Sequence, residues 1–301
     1  MRLSKYLNAF IRRGHWYNNV LFEDCNKFWS HKQFNTDVIN LGSTSALYAF
    51  DYSGIKVRGA NFALSHNPLF ADFAVLKNYF SYIKPNGGHV IISLCPFSAL
   101  SGSYDYLEDR YYTILYPSSM PSFSYVRQQQ IKSLINNPLS VYPLIALFSD
   151  IRNFIVKKKE KELSEIEMEN NASVFINSWK QEFSLEDFSS SLSLKNTDAL
   201  MDAALLLNSM ISFCRERSIT ASIVIPPIYH SLAEKFDTTS RQILIDNLIS
   251  RVEDKSVIFK NYMDDPRFTN DRTLFTNSFL MNKKGARKFT SIVLNELNIT
   301  K

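Results

Sequence analysis

Three apolar runs along the chain predict buried parallel strands. They are rich in Ile and Val, and polar residues do not alternate regularly with the apolar ones. A strand of this composition suits a sheet that is covered by helices on both faces. Gly42 stops the first run, and Pro226 with Pro227 stops the third. The three predicted strands are 37–41, 89–94 and 220–225.

Apolar residues recur at helical spacing between these runs, which predicts helices that connect the strands. In the clearest case one stripe runs from Leu200 to Cys214, and Asp198 stands near its start as a candidate N-cap. Alternating strands and helices are typical of a three-layer, doubly wound α/β fold with a parallel sheet, of flavodoxin-like type. The predicted helices are 70–83, 197–217 and 285–297, and the further strand candidates are 256–259 and 54–57, which leads to 59–61.

The stretch between residues 98 and 196 interrupts this alternation. It is rich in Tyr, Pro and Ser, then carries a helical pattern over 139–169 and an aromatic-polar segment over 175–188. A connection of this length within an α/β domain is usually an insertion with a capping or functional role. We therefore predict one integrated domain in which an extension and a partly helical insertion accompany the core. The predicted boundaries are 1–36 for the N-terminal extension, 37–97 and 197–301 for the core, and 98–196 for the insertion.

The charge of the chain argues against nucleic acid as a partner. The 301 residues carry a net charge of +5, and the strongest basic run, at 157–161, is offset by neighbouring glutamates. A protein that binds nucleic acid normally concentrates Lys and Arg on one face. A solvated helix face with mixed charges is the simpler interpretation of this run.

The cysteines predict neither a disulfide framework nor a zinc site. Cys25, Cys95 and Cys214 are odd in number and far apart, and they form no C-x-x-C motif. Reduced thiols of this kind fit a cytoplasmic protein, and no segment reaches the ~18 consecutive apolar residues of a membrane span. We expect no metal and no cofactor, and we leave peripheral contact with a membrane open.

A turn that resembles a nucleophile turn follows the first predicted strand. Residues 38–46 read V-I-N-L-G-S-T-S-A, so small hydroxyl residues lead from Gly42 into a predicted helix. Glycine permits the tight bend, the strand end presents a hydroxyl, and the helix N-terminus offers N–H groups to a developing oxyanion. The alternative is that Ser43 or Thr44 only caps the helix, and this segment by itself favours the cap.

Together with the C-terminal region, this turn resembles the SGNH (GDSL-type) hydrolases. It looks most like the branch reading "LGSS" that often accompanies bacterial surface-polysaccharide genes. Asn282, Gly285 and Ala286 match the Leu-Asn-x-x-Gly-Ala frame of that family's last block, and residues 61–65 are similar to its second block. The resemblance covers residues 37–100 and 197–298.

The catalytic residues of that family are mostly replaced in this chain. By resemblance, the nucleophilic Ser falls at Thr44, with Ser43 one place early, and the oxyanion-hole Gly of the second block falls at Ser65. The Asp and His of the last block fall at Asn277 and Leu280. Leucine cannot accept a proton, and asparagine cannot balance an imidazolium as a carboxylate does.

Catalysis would therefore need a base from elsewhere in the chain. The family's third block supplies an oxyanion Asn, but residues 94–97 read L-C-P-F and offer none. His66 directly follows the second block and is the better candidate for a replacement base, while His230 follows the third strand. If the protein is active, we expect the catalytic residues to be Ser43, Thr44 and His66.

Parallel α/β sheets bind ligands at the carboxyl ends of their strands, so the candidate residues at those ends are expected to surround one site. The predicted substrate-binding residues are Gly42, Asn61, Ser65, Cys95, His230, Asn277 and Asn282.

Three functions are open at this point. The preferred one is an SGNH hydrolase-like protein of surface-polysaccharide biosynthesis or modification, which binds a glycan or an acylated intermediate without a Ser-His-Asp triad. The second is an active acyl esterase or O-acetyltransferase that uses Ser43 or Thr44 with a relocated base. The third is a non-enzymatic protein that docks a partner or a membrane surface through the apolar stripe at 139–155. The first expectation for that stripe is that it covers the protein's own core, and the oligomeric state is not determined.

Overall fold

The chain forms two compact units. The first, called the sheet unit here, comprises residues 33–103 and 161–301, and the second, the helical unit, comprises residues 1–32 and 104–160. The structure is a computed structural model that describes residues 2–22, 25, 28, 34–100, 107–120, 122–155 and 162–299.

Five parallel strands form the sheet, in the spatial order β2-β1-β3-β4-β5. β1 pairs with β2 on one side and with β3 on the other, so the direction of the connections reverses at β1. This order is that of flavodoxin-like sheets, and the predicted three-layer α/β fold is confirmed. The strands are β1 (Val38–Leu41), β2 (Gly59–Asn61), β3 (His89–Ser93), β4 (Thr220–Ile225) and β5 (Ile258–Asn261).

The helices of the two units are numbered together in chain order. A π-helical turn, Gln242–Asp246, joins α9 to α10, and short 3-10 turns occur elsewhere in the described residues. The helices are α1 (Arg2–Ile11), α2 (Thr44–Ala49), α3 (Leu69–Tyr79), α4 (Tyr125–Asn136), α5 (Leu144–Ile155), α6 (Glu165–Glu182), α7 (Leu194–Arg215), α8 (His230–Ala233), α9 (Thr238–Arg241), α10 (Asn247–Ile249), α11 (Pro266–Thr269) and α12 (Lys283–Glu296).

Both faces of the central strands are buried, as the apolar runs predict. The register places Val38, Ile91 and Val224 on one face, where they join a buried cluster with residues of α2 and α12. Ile39 and Ile92 point to the other face and are also buried, and α3 and α7 pack against each other. Because each strand loses solvent on both sides, Ile and Val occupy positions of either parity.

Several of the predicted element boundaries are wrong, including the helical pattern at 139–169, where one helix spans Leu144–Ile155 and the next begins at Glu165. The edge strand is 59–61 and not 54–57, because residues 51–55 form a turn in which Gly54 has a φ of +80°. The long helix α7 begins at Leu194, because the hydroxyl of Ser193, and not Asp198, accepts the N–H that caps it. The last predicted strand lies two residues further along, at 258–261.

The predicted insertion is divided between the two units. Residues 161–196 belong to the sheet unit, and residues 1–32 share the helical unit with 104–160. Within the sheet unit, α6 continues through most of the aromatic-polar segment, and its Trp179 ring lies 4.8 Å from that of Phe97, which follows β3. The basic run at 157–161 lies outside the described residues.

In the helical unit, the residue that follows α1 contacts the end of α4. The guanidinium of Arg12 donates to the carbonyls of Ile135 and Asn136, at 3.0 and 2.8 Å. A basic side chain at this place satisfies carbonyls that have no partner within the helix. None of the described helices combines the length and the apolar character that crossing a bilayer requires.

The start of α12 yields a prediction about stability. A Cβ added to Gly285 would lie 2.1 Å from the carbonyl oxygen of Leu274. Because this oxygen belongs to the backbone, a change of side-chain rotamer cannot relieve the clash. We expect Gly285→Ala to lower the free energy of unfolding by about 2 kcal/mol or more, measured by urea denaturation. The matched control is Lys283→Ala, at an exposed position of the same helix, which should change it by less than about 0.5 kcal/mol. Equal stability of the two variants would contradict the close approach.

Candidate functional site

The turn after β1 lies at the point where the strand order reverses. Parallel sheets open a crevice there, between the carboxyl ends of β1 and β3. Gly42 has a φ of +135°, and a Cβ on it would lie 2.5 Å from the carbonyl oxygen of Ser93. Glycine is required on both counts, because other residues avoid this backbone conformation and no space exists for a side chain. The turn is therefore pressed against the end of β3.

The hydroxyls of Ser43 and Thr44 contact the loop after β2 and not the helix that follows them. Ser43 occupies the N-cap position of α2, yet its side chain makes no capping hydrogen bond. Its Oγ accepts the N–H of Asn67 at 3.1 Å, and the Oγ1 of Thr44 accepts the N–H of His66 at 3.0 Å. His66 holds a left-handed backbone with a φ of +49°, which is uncommon for a residue other than glycine. The interpretation of Ser43 as a helix cap is thus not what the geometry shows.

A buried carboxyl group supports this turn from α3. One oxygen of Asp72 accepts both the N–H of Gly42, at 2.9 Å, and the Nδ2 of Asn67, at 2.6 Å. Asn67 in turn donates its own N–H to Ser43. Burial raises the pKa of Asp72 to about 8, although the two donated hydrogen bonds act in the opposite direction. Asp72 thereby connects β1, the loop after β2 and α3.

Among the described residues, no imidazole hydrogen-bonds to Ser43 or Thr44. Each hydroxyl accepts a backbone N–H, and neither donates to another described residue. Serine and threonine become nucleophiles when an adjacent base takes the hydroxyl proton. The arrangement instead leaves each O–H as a donor that can point at an acceptor on a ligand.

Two further hydroxyls at these strand ends are buried without a partner. The Oγ atoms of Ser45, in the first turn of α2, and Ser93, at the end of β3, have no hydrogen bond among the described residues. A buried polar group without a partner is costly and uncommon in a native protein. Sequence reasoning missed Ser93, since a serine that ends an apolar strand has no distinctive pattern.

Asn61, predicted to bind substrate, lies buried between β2 and α2. Its Nδ2 donates to the carbonyls of Ala46, Leu47 and Phe50, at 3.0 to 3.3 Å, and so closes the C-terminal end of α2. Its Oδ1 accepts from Asn40 at 2.8 Å. All of these contacts hold the fold together, and the amide of Asn61 is fully used within the sheet unit.

The two asparagines of the last block also hydrogen-bond to the backbone. The Oδ1 of Asn277 accepts the N–H groups of Phe279 and Leu280, at 2.9 and 2.7 Å, which forms a local turn. The Oδ1 of Asn282 accepts the N–H of Gly285 at 3.0 Å and caps α12. The Leu-Asn-x-x-Gly-Ala frame therefore has a structural explanation in this chain: a helix cap followed by a glycine for which no larger residue fits.

His230 belongs to a different cluster of the sheet unit. Its Nε2 lies 3.1 Å from Glu165, at the start of α6, and the hydroxyl of Tyr229 donates to the same carboxylate at 2.7 Å. Burial and this carboxylate raise the pKa of Tyr229 to about 12. Tyr229 also donates its N–H to the carbonyl of Ser278. The cluster joins α6 to α8, and no hydrogen bond among the described residues connects it to Ser43 or Thr44.

An aromatic cluster follows β3 at the carboxyl edge of the sheet. Phe97 stacks on Phe183 with ring centres 5.2 Å apart, and Trp179 contacts both Phe97 and Phe279. Phe97 is buried, whereas Trp179 and Phe279 are partly exposed. The stripe on α6 comes from an i, i+4 spacing in the sequence of Phe175, Trp179 and Phe183.

Cys95 and Ser65 complete the set of predicted residues, and both are partly exposed. The N–H of Cys95 donates to the Oγ of Ser98 at 2.9 Å. Burial raises the pKa of the Cys95 thiol, so it is not an activated thiolate. Within the described residues, no three His, Cys, Asp or Glu side chains are grouped so that they could hold a metal ion.

Neither the family models nor the curated proteins include a match to this chain. The candidate site therefore rests on its geometry: Gly42, Ser43, Thr44 and the 65–67 loop are brought together, Asn61 binds the C-terminal end of α2, and His230, Asn277 and Asn282 serve other contacts.

Asp72 provides a test of this geometry through the pH dependence of stability. The folded protein holds the Asp72 proton up to a pH of about 8, whereas the unfolded chain releases it near the ordinary pKa of 3.8. Between these values the folded state binds more protons, so the free energy of unfolding falls as the pH rises. Urea denaturation of the wild type and of Asp72→Asn should show the wild type losing stability relative to the variant from about pH 4 to 8. The prediction would be wrong if the stabilities of the two proteins changed with pH in parallel, or if the wild type gained stability relative to the variant. Either result would mean that Asp72 is a charged carboxylate in the folded protein.

Proposed function

We propose that the sheet unit is an SGNH hydrolase-like binding module, which takes a glycan or an acylated glycan intermediate of surface-polysaccharide biosynthesis at the β1/β3 crevice. One observation carries the proposal. Ser43 and Thr44 accept backbone N–H groups and form no hydrogen bond with an imidazole among the described residues, an arrangement that suits donating hydrogen bonds better than attacking a carbonyl.

The ligand class is argued from the groups at the same edge of the sheet. Ser43 and Thr44 offer hydroxyl donors, and Trp179 and Phe279 offer partly exposed rings. Sugars combine polar hydroxyl rims with apolar ring faces, which suits a mixture of hydrogen-bond donors and an aromatic platform. The resemblance to the "LGSS" branch supports the same class of ligand.

An active acyl esterase or O-acetyltransferase is the second candidate. The observation in its favour is that the backbone nitrogen of His66 lies 3.0 Å from the Oγ1 of Thr44. The residue that carries the imidazole is therefore a direct neighbour of this hydroxyl. A rotation of that side chain on ligand binding would supply the base that the last block lacks.

Covalent labelling separates the two candidates. A fluorophosphonate probe, read by intact mass, should leave the wild-type protein unlabelled, because an unactivated hydroxyl reacts slowly. The matched variants are Ser43→Ala and Thr44→Ala, with Ser53→Ala, an exposed serine of the same unit, as the control. Stoichiometric labelling of the wild type that disappears in only one of the first two variants would overturn the binding proposal and establish an esterase-type nucleophile.

Ligand binding tests the substrate class directly. In calorimetric titrations with defined oligosaccharides, each with and without O-acetyl groups, we expect at least one to bind. Trp179→Ala should weaken that binding by about fivefold or more, since an aromatic contact contributes ~1 kcal/mol beyond its buried area. Trp16→Phe changes a tryptophan of the helical unit and should leave the affinity unchanged. An unchanged affinity in Trp179→Ala would contradict the proposal that Trp179 contacts the ligand.

A further inference from the structure

The helix α5 in the helical unit has its apolar residues on the solvent side. Leu144, Ile145 and Phe148 are 81%, 81% and 76% exposed, whereas Ala146 and Asp150 are buried. At 100° per residue, Ala146 and Asp150 lie on the side opposite to Leu144 and Phe148. A helix that packs on a protein core normally has the reverse arrangement, with the apolar stripe inside and the carboxylate outside. The stripe predicted to cover the protein's own core is thus exposed.

Asp150 holds α5 in this orientation. Its carboxylate accepts the N–H of Trp16 at 3.0 Å and the hydroxyl of Tyr142 at 2.9 Å, and the Trp16 and Tyr142 rings pack edge to face at 5.2 Å. A Cβ on Gly14 would lie 2.1 Å from the carboxylate of Asp150, so the backbone at Gly14 packs directly against this carboxylate. A buried carboxylate with two donors cannot leave its place cheaply. The rotation that would bury Leu144 and Phe148 is therefore opposed by the Asp150 contacts.

The positive charge of the chain is concentrated in the same unit. Residues 1–32 and 104–160 contain 13 Lys and Arg against 7 Asp and Glu, whereas residues 33–103 and 161–301 contain 21 against 22. The whole excess of positive charge is thus in the helical unit. Arg152 is exposed and lies one turn after Phe148, on the apolar side of α5. In α1, Leu3 and Tyr6 are exposed around Lys5.

We propose that α5 lies in the surface of an anionic lipid bilayer, with Leu144, Ile145 and Phe148 inserted among the acyl chains. Exposed apolar residues combined with basic side chains are the features of an interfacial helix, and the two contributions to binding are apolar burial and attraction to anionic headgroups. A nucleic acid would need the charge but not three exposed apolar side chains. A lipid surface accounts for both features and requires no membrane-spanning segment.

The proposal has a quantitative consequence. Moving one Leu or Phe side chain out of water contributes about 1.5–3 kcal/mol, so each inserted residue should change the partition coefficient at least tenfold. The electrostatic part is screened by salt over about 10 Å at 0.1 M. Binding should therefore need both the apolar side chains and the anionic lipid.

Vesicle flotation with the full-length chain tests this, with phosphatidylcholine vesicles compared with phosphatidylcholine–phosphatidylserine vesicles. We expect the wild type to float with the anionic vesicles, to be largely released by about 0.5 M salt, and to stay behind with the neutral ones. Leu144→Ser/Phe148→Ser should lose binding at least a hundredfold, and Arg152→Gln should weaken it several-fold. The matched control is Leu194→Ser/Leu205→Ser, two exposed leucines of α7 in the sheet unit, which should bind as the wild type does.

Exposed apolar residues can be changed to serine without loss of packing, and unchanged circular dichroism would verify that the variants fold. Failure of the wild type to float with anionic vesicles would overturn the proposal, as would equal binding by the α5 and α7 variants. Self-association that Leu144→Ser/Phe148→Ser abolishes, without any vesicle binding, would assign the face to a second copy of the chain. The proposal would also be overturned if the protein bound an acidic protein through the same residues and did not bind vesicles.

Discussion

The contact between Gly42 and the end of β3 is the constraint on which the candidate site depends. The backbone of the turn comes so close to the carbonyl of Ser93 that no side chain fits, and it does so in a conformation that glycine adopts at little cost. Asp72 then accepts the N–H of Gly42 and the amide of Asn67, and Asn67 donates to Ser43. The position of the Ser43 hydroxyl is therefore set by a chain of buried hydrogen bonds that begins at this close approach.

Among the described residues, the contacts of the hydroxyl pair also differ from those of an activated nucleophile. A nucleophile needs a base that takes its proton, whereas here the oxygen of each hydroxyl accepts a hydrogen bond from a backbone N–H group. The residues at the positions of the family's Asp and His are used differently: Asn277 stabilises a local turn, and Leu280 is one of the residues in that turn. The same frame of residues thus supports the fold where, by resemblance, it would support chemistry.

The helical unit illustrates how one buried polar group can determine an exposed surface. Asp150 is enclosed by Gly14, Trp16 and Tyr142, and its place on the inner side of α5 sends the apolar residues outwards. In the isolated protein, exposing these side chains to water raises the free energy of the folded state. Covering these side chains with another apolar phase would remove that cost. The positive charge of the same unit favours a bilayer with anionic headgroups.

The sequence alone determined the fold class, since continuous Ile and Val runs separated by helical stripes indicate a sheet buried on both faces. It also located the turn at Gly42 to Thr44, because this turn depends on local backbone chemistry, whereas Asn282, predicted to bind substrate, caps α12. The tertiary structure decided what each polar residue contacts: that Ser43 bonds to the loop after β2 and not to its own helix, that Asn61 closes α2, and that Asp72 lies beneath the turn. It likewise decided that the apolar side of α5 faces outwards. Hydrogen bonds between residues distant along the chain leave no periodic pattern in it, so only the folded structure reveals which donors and acceptors meet.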